Sequence, residues 1–130
     1  MLKYTIAMKT NPITETVVYT GQLVKSAPVT LEELSQEISA ECTVTIHDVK
    51  AVLSAMERQI ARYLRNGNSV RLGDLGSFHA RLNCKTEKRL DDFKADNVLG
   101  LRVRFRPSTG LRYLLSKSNP AVSFQRVDAV

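Results

Sequence analysis

The chain has 130 residues, 43% hydrophobic and 25% charged, with 19 basic against 13 acidic side chains and a formal net charge of +6. These proportions predict one globular domain with a core and argue against wholesale disorder. No apolar run nears the roughly 18 residues that a membrane span needs, and the first residues, MLKYTIAMKTNP, lack the apolar centre of a secretory signal, so a cytoplasmic protein is expected.

Residues 1–29 are rich in threonine, valine and tyrosine and show no helical period. YTIAM and TETVVYTGQLV read as strands separated by the turn signal Asn11-Pro12. After Ser26-Ala27-Pro28, Thr30 and Glu33 have the spacing of a capping box, and Leu31, Leu34, Ile38 and Cys42 recur at helical spacing. Thr43-Val44-Thr45 interrupts that helix, and Thr45 with Asp48 starts a second one, running from about Ile46 to Arg65 and ending at Asn66-Gly67-Asn68. Ile46, Val49, Leu53, Met56, Ile60 and Tyr63 form its main stripe. Ala51, Val52, Ala55, Ala61 and Leu64 widen the stripe beyond what a surface helix needs, which points to a second packing partner such as another subunit.

Ser69–Leu82, SVRLGDLGSFHARL, alternates in two short runs around a gap with two glycines, the pattern of a half-buried β-hairpin. Residues 83–97 are polar and carry four bases against four acids. A third alternating run follows, with Leu101, Val103 and Phe105 on one side and Arg102, Arg104 and Arg106 on the other. Pro107 ends it, Ser108 or Thr109 offers a cap, and Leu111, Leu114 and Leu115 predict a short helix to about Lys117. Residues 118–130 form a tail that frays or adds an edge strand.

The two cysteines, Cys42 and Cys84, and the two histidines, His47 and His79, share no metal-ligand spacing. A reduced, intracellular protein with no metal and no cofactor is expected. Nothing in the chain has the form of a nucleophile–base pair, a phosphate-cradling loop or paired carboxylates in an apolar setting, so an enzyme is not expected.

The positive charge is unevenly placed. Residues 30–68 carry six acids against four bases, whereas residues 98–117 carry five bases and no acid. Strand alternation sets Arg71, Arg81, Arg102, Arg104 and Arg106 on the face opposite Val70, Leu72, Phe78, Ala80, Leu82, Leu101, Val103 and Phe105, with Ser77 and His79 beside the arginines. Arginines on an open face can simply solubilise it. Here three alternate on one strand with no acid on the facing strands, and guanidinium matches phosphate oxygens bidentately, so a surface for a phosphate backbone is predicted.

The order helix, helix, hairpin, polar excursion, strand, short helix resembles the bacterial histone-like HU and integration host factor family of DNA-binding proteins over roughly residues 29–117. NGNSVRLGDLGSFHARL is similar to that family's hairpin and VRFRPSTGLRYLL to its strand–proline–helix ending. The N-terminal strands resemble those of longer HU-like proteins of the Bacteroides group. The resemblance implies an α+β fold: a helical pair packed on a three-stranded antiparallel sheet, with a β-ribbon arm at about 83–97, a short final helix and N-terminal strands. It further implies an intertwined homodimer, core roles for Phe78 and Phe105, and a domain at 30–117 between an extension at 1–29 and a tail at 118–130. On this reading the arginine face seats DNA, and Lys85, Lys88, Arg89 and Lys94 add contacts from the arm.

Two departures matter. The family's arm carries an Arg-Asn-Pro-x-Thr-Gly motif whose proline wedges between bases, whereas the excursion here, NCKTEKRLDDFKADN, has neither proline nor net charge. Leu90 and Phe93 are its apolar candidates for a wedge, against the simpler expectation that both pack within a short folded arm. Asp74 stands where the family has its first glycine, and Leu75 replaces a phenylalanine. The predicted function is therefore non-sequence-specific, salt-sensitive binding of the duplex DNA backbone and minor groove, in an architectural role at the nucleoid, with weak bending or none. The alternative is an HU-fold interaction module that has lost tight DNA binding and takes a protein partner through residues 1–29.

Overall fold

The computed structural model describes residues 1–127. In chain order the elements are β1 (Leu2–Thr10), β2 (Val17–Leu23), α1 (Leu31–Glu41), α2 (Ile46–Arg65), β3 (Val70–Arg71), β4 (Gly76–Cys84), β5 (Val98–Pro107), α3 (Thr109–Leu114) and β6 (Phe124–Arg126). They form two compact units: residues 29–111, and residues 1–28 together with those from 112 onward, the division falling within α3.

In the larger unit, both predicted threonine caps are in place. Thr30 Oγ1 accepts the Glu33 amide at 3.2 Å. Thr45 Oγ1 accepts the Asp48 amide at 3.3 Å and donates to its carboxylate at 2.9 Å, which holds an acid where the helix dipole favours it. Between the helices Ser39 Oγ donates to the Val44 carbonyl at 2.8 Å, fixing the turn that the β-branched residues open. α2 ends at Asn66, and Gly67, at φ 86°, supplies the left-handed residue that terminates a helix.

α2 lies against β3 and β4. The sheet has the order β3-β4-β5, antiparallel throughout. The link from β3 to β4 closes when the Leu72 amide donates to the Gly76 carbonyl at 2.8 Å and the Leu75 amide to the Leu72 carbonyl at 3.0 Å. Phe78 and Phe105 meet across the sheet with ring centroids 5.1 Å apart. Phe78 is half-buried, but Phe105 is 43% exposed, so the core role expected of it is not met within one chain.

The excursion from β4 to β5 differs from the expected ribbon arm. Pairing stops at Cys84 and Val98, and residues 85–97 fold into a compact connection with two 3-10 turns, Leu90–Asp92 and Ala95–Asn97. Asn97 is the reason. Its Oδ1 accepts the Lys94 amide at 3.1 Å, and its Nδ2 donates to the Lys85 carbonyl at 3.2 Å and to Glu87 Oε1 at 3.0 Å. The Lys85 amide returns a bond to the Asn97 carbonyl at 2.7 Å. Leu90 does not pack within this connection as expected: it is 89% exposed. Replacing Asn97 with alanine leaves backbone groups without partners, a cost of about 1–3 kcal/mol. The Lys85 amide should then exchange its hydrogen at least about tenfold faster, while amides in α2 keep their rates.

The apolar side of this sheet is only partly covered within one chain. Val49 is the sole buried hydrophobic residue among the described residues. Leu101 and Val103 are 51% and 61% exposed, and Val52 on α2 is 65% exposed. The expectation that the whole face packs on the helices therefore holds only in part: Val70, Leu72, Phe78 and Ala80 are half-buried, whereas Leu82, 57% exposed, and the apolar residues of β5 are left uncovered. The final helix is also shorter than predicted: α3 ends at Leu114, where Asn119 Nδ2 donates to the Leu114 carbonyl at 3.3 Å.

In the smaller unit β1 and β2 form an antiparallel hairpin whose turn is organised by Asn11. Its Oδ1 accepts the Ile13 amide at 3.0 Å and its carbonyl the Glu15 amide at 2.8 Å. β6 pairs with β1 in parallel, Leu2 opposite Phe124 and Tyr4 opposite Arg126, giving the order β2-β1-β6. The tail thus contributes a strand beside the N-terminal segment. Residues 128–130 of that tail lie outside the described residues.

Candidate nucleic-acid interface

The register of the β3-β4-β5 sheet decides which side chains share a face. Arg106 stands opposite Ser77, which also faces Arg71; Arg104 stands opposite His79, and Arg102 opposite Arg81. Their neighbours in the register, Phe105 with Phe78, Val103 with Ala80 and Leu101 with Leu82, project to the other side. The alternation read from the sequence thus becomes one polar face. Near its centre Ser77 Oγ and His79 Nε2 are 2.8 Å apart in a hydrogen bond.

The five guanidiniums have no acid to pair with on this face. Among the described residues the ion pair is Lys50 with Glu32, at 3.1 Å, and it lies on the helices. Like charges directly opposite each other destabilise a sheet by about 0.2–1 kcal/mol. The Arg81–Arg102 rung is therefore not explained by the stability of the sheet. Two shallow polar depressions mark the face. One is bordered by Arg81, Asn83, Arg102 and Arg104, the other by Arg71, Ser77, His79, Arg106, Ser108 and Thr109.

Lys85, Lys88, Arg89 and Lys94 are placed differently from the strand arginines. All four are exposed and lie on the excursion beyond the ladder. Lys85 and Lys94 are drawn together through the backbone bonds to Asn97, while Arg89 only precedes the first 3-10 turn. Glu87, Asp91, Asp92 and Asp96 share the same segment, so its field is weak.

One contributor was not legible in the sequence and another was left as one of two choices. Asn97 organises the excursion, and the only cue was an amide residue just before an apolar run. Ser108 was one of two candidate caps, and the structure selects it. Its Oγ accepts the Leu111 amide at 3.0 Å and donates to the Asp74 carbonyl, joining the start of α3 to the β3–β4 link.

A capped helical pair behind a three-stranded sheet, with apolar residues toward the helices and arginines on the far side, defines an HU-type DNA-binding fold. The family model described as an HU domain fused to a winged helix-turn-helix, Ig or glycine-rich motif matches residues 1–122, and the chain belongs to that family. Among solved structures, it is similar to a protein from Bacteroides vulgatus described provisionally as a bacterial DNA-binding protein. That likeness has a TM-score of 0.69 and 17% identity over 98% of this chain and 48% of the other, so this chain spans about half of that relative's length. It is also similar to HU from Anabaena in a cocrystal with DNA, with a TM-score of 0.52 and 21% identity over 71% of this chain and 99% of that one. No curated protein gives a significant match.

Proposed function

We propose that this chain binds duplex DNA through the phosphate backbone, without sequence preference, in an architectural role. The observation that carries the reading is the unpaired row of guanidiniums on one sheet face, Arg81 opposite Arg102 above all. Arginine supplies several donors in a planar fork that fits phosphate oxygens, and such contacts position a protein on DNA without reading bases. The DNA-bound Anabaena relative supports the same use of the fold. Lys85, Lys88, Arg89 and Lys94 serve as secondary contacts from the excursion. That segment has no proline and no net charge, so bending of the duplex is weak or absent.

The active unit on this reading is a homodimer. The exposed Leu101, Val103, Phe105 and Val52 are the surface a second chain covers, because fully burying each such side chain contributes about 1.5–3 kcal/mol and the single chain leaves that energy unused. Sedimentation equilibrium should give a mass above the 14.5 kDa of one chain, and Val103→Asp should lower it or unfold the protein. Two unrelated random-sequence duplexes should then bind wild-type protein equally well. Strong preference for one of them would contradict the backbone reading. Absence of binding to either, by folded protein at low salt, would favour the protein-interaction module instead.

A further inference from the structure

We propose that β2 is a docking edge for a second copy of this chain, joined antiparallel about a twofold axis at Thr20, so that two β2-β1-β6 sheets become one of six strands. The proposal concerns the smaller unit and does not rest on the DNA-binding reading. β2 is an edge strand among the described residues. The Val24 amide donates to the Lys3 carbonyl at 2.9 Å and the Asn11 amide to the Thr16 carbonyl at 3.0 Å, so the even-numbered residues of this segment turn their backbone groups toward β1. In an antiparallel ladder the alternate residues point away. The amides and carbonyls of Val17, Tyr19, Gly21 and Leu23 therefore face outward, unclaimed by β1.

Protected edges carry lysine, proline or a bulge. VVYTGQL has none of these, and Tyr19 is 73% exposed. An uncharged edge of this length accepts another strand, and its own sequence identifies which one. With the axis at Thr20, Val17 meets Leu23 and Tyr19 meets Gly21, each from the opposite copy, and every one of these residues belongs to the outward set. The pairing thus uses all seven residues of β2 in a register the backbone already allows.

Two rungs of that register are distinctly favourable. Tyr19 lies across from Gly21, where an aromatic ring covers backbone that glycine leaves bare. Thr20 meets Thr20, a pair that hydrogen-bonds across strands. Shifting the axis to Tyr19 or Gly21 shortens the ladder and loses the tyrosine–glycine rung. This complementarity selects a copy of the chain over an arbitrary strand.

The test is oxidative cross-linking of the full chain carrying Cys42→Ser and Cys84→Ser, with Thr20→Cys or Gln22→Cys added. At the axis the two Cα atoms are about 4.5 Å apart in a non-hydrogen-bonded pair, within disulfide range. Two residues along the strand the equivalent atoms are about 13 Å apart, beyond any disulfide. Thr20→Cys should cross-link efficiently and Gln22→Cys should not. Adding Gly21→Pro, which removes an outward amide and leaves the bonds to β1 intact, should lower the Thr20→Cys yield about tenfold. Absence of the Thr20→Cys product in protein with wild-type circular dichroism would overturn the proposal. So would equal products from both positions, or a yield unchanged by Gly21→Pro.

Discussion

Arg102→Glu with Arg104→Glu is expected to weaken duplex DNA binding at least about a hundredfold while the protein stays folded. Two charge-assisted hydrogen bonds to phosphate contribute about 1.5–3 kcal/mol each, and a tenfold change in affinity corresponds to about 1.4 kcal/mol. The carboxylates also repel the backbone, which adds to the loss. Stability should hold because both arginines are exposed and neither is ion-paired. It should even rise slightly, since a carboxylate at position 102 faces Arg81 and turns a like-charge rung into an opposite-charge one. Anisotropy of a labelled duplex and thermal melting of the same preparation separate the two effects. Lys88→Glu with Arg89→Glu on the charge-balanced excursion should cost much less than the β5 pair.

The second large effect falls on the fold beneath that face. Gly76→Ala should destabilise the protein by about 3–5 kcal/mol, because it combines a strained backbone with an overlap. Gly76 is buried at φ 151°, where side chains are disfavoured. A Cβ there would overlap the Arg106 carbonyl oxygen and stand 2.8 Å from Phe105 Cζ. Neither neighbour yields easily, since one is backbone in the β4–β5 ladder and the other packs on Phe78. Gly73→Ala is the matched control. Its φ of 54° is unfavourable for alanine, but the space around it is open, so about 1–2 kcal/mol is expected. Denaturant unfolding of the two variants should therefore differ clearly. DNA binding by Gly76→Ala should be lost together with structure, whereas the arginine variant loses binding alone.

Much of this was legible because its signals are local. Thr30 and Thr45 announce their helices through a hydroxyl and an acid three residues on, and both caps form. The alternation in residues 69–82 and 101–106 fixed which side chains share a face, because a strand has no other choice, and the register aligned the two sets. The features that escaped depend on distant partners. The excursion is compact because Asn97 reaches Lys85 and Glu87, and no hydrophobic period marks such bonds. An added edge strand was one of two expectations for the tail, but its partner was not legible: β6 finds β1 from the far end of the chain, a pairing that three residues of strand do not advertise. The apolar surface left on β5 was foreshadowed only by α2, whose broad stripe asked for more partners than one small chain supplies.

The most direct test of the central claim is wild-type duplex binding measured across a series of salt concentrations. If the five strand arginines each contact a phosphate, the log of the binding constant should fall with the log of salt at a slope of about −4.5 per chain. Arg102→Glu with Arg104→Glu should make that slope shallower. Binding indifferent to salt, or no binding at low salt by folded protein, would contradict a sheet face built to seat the DNA backbone.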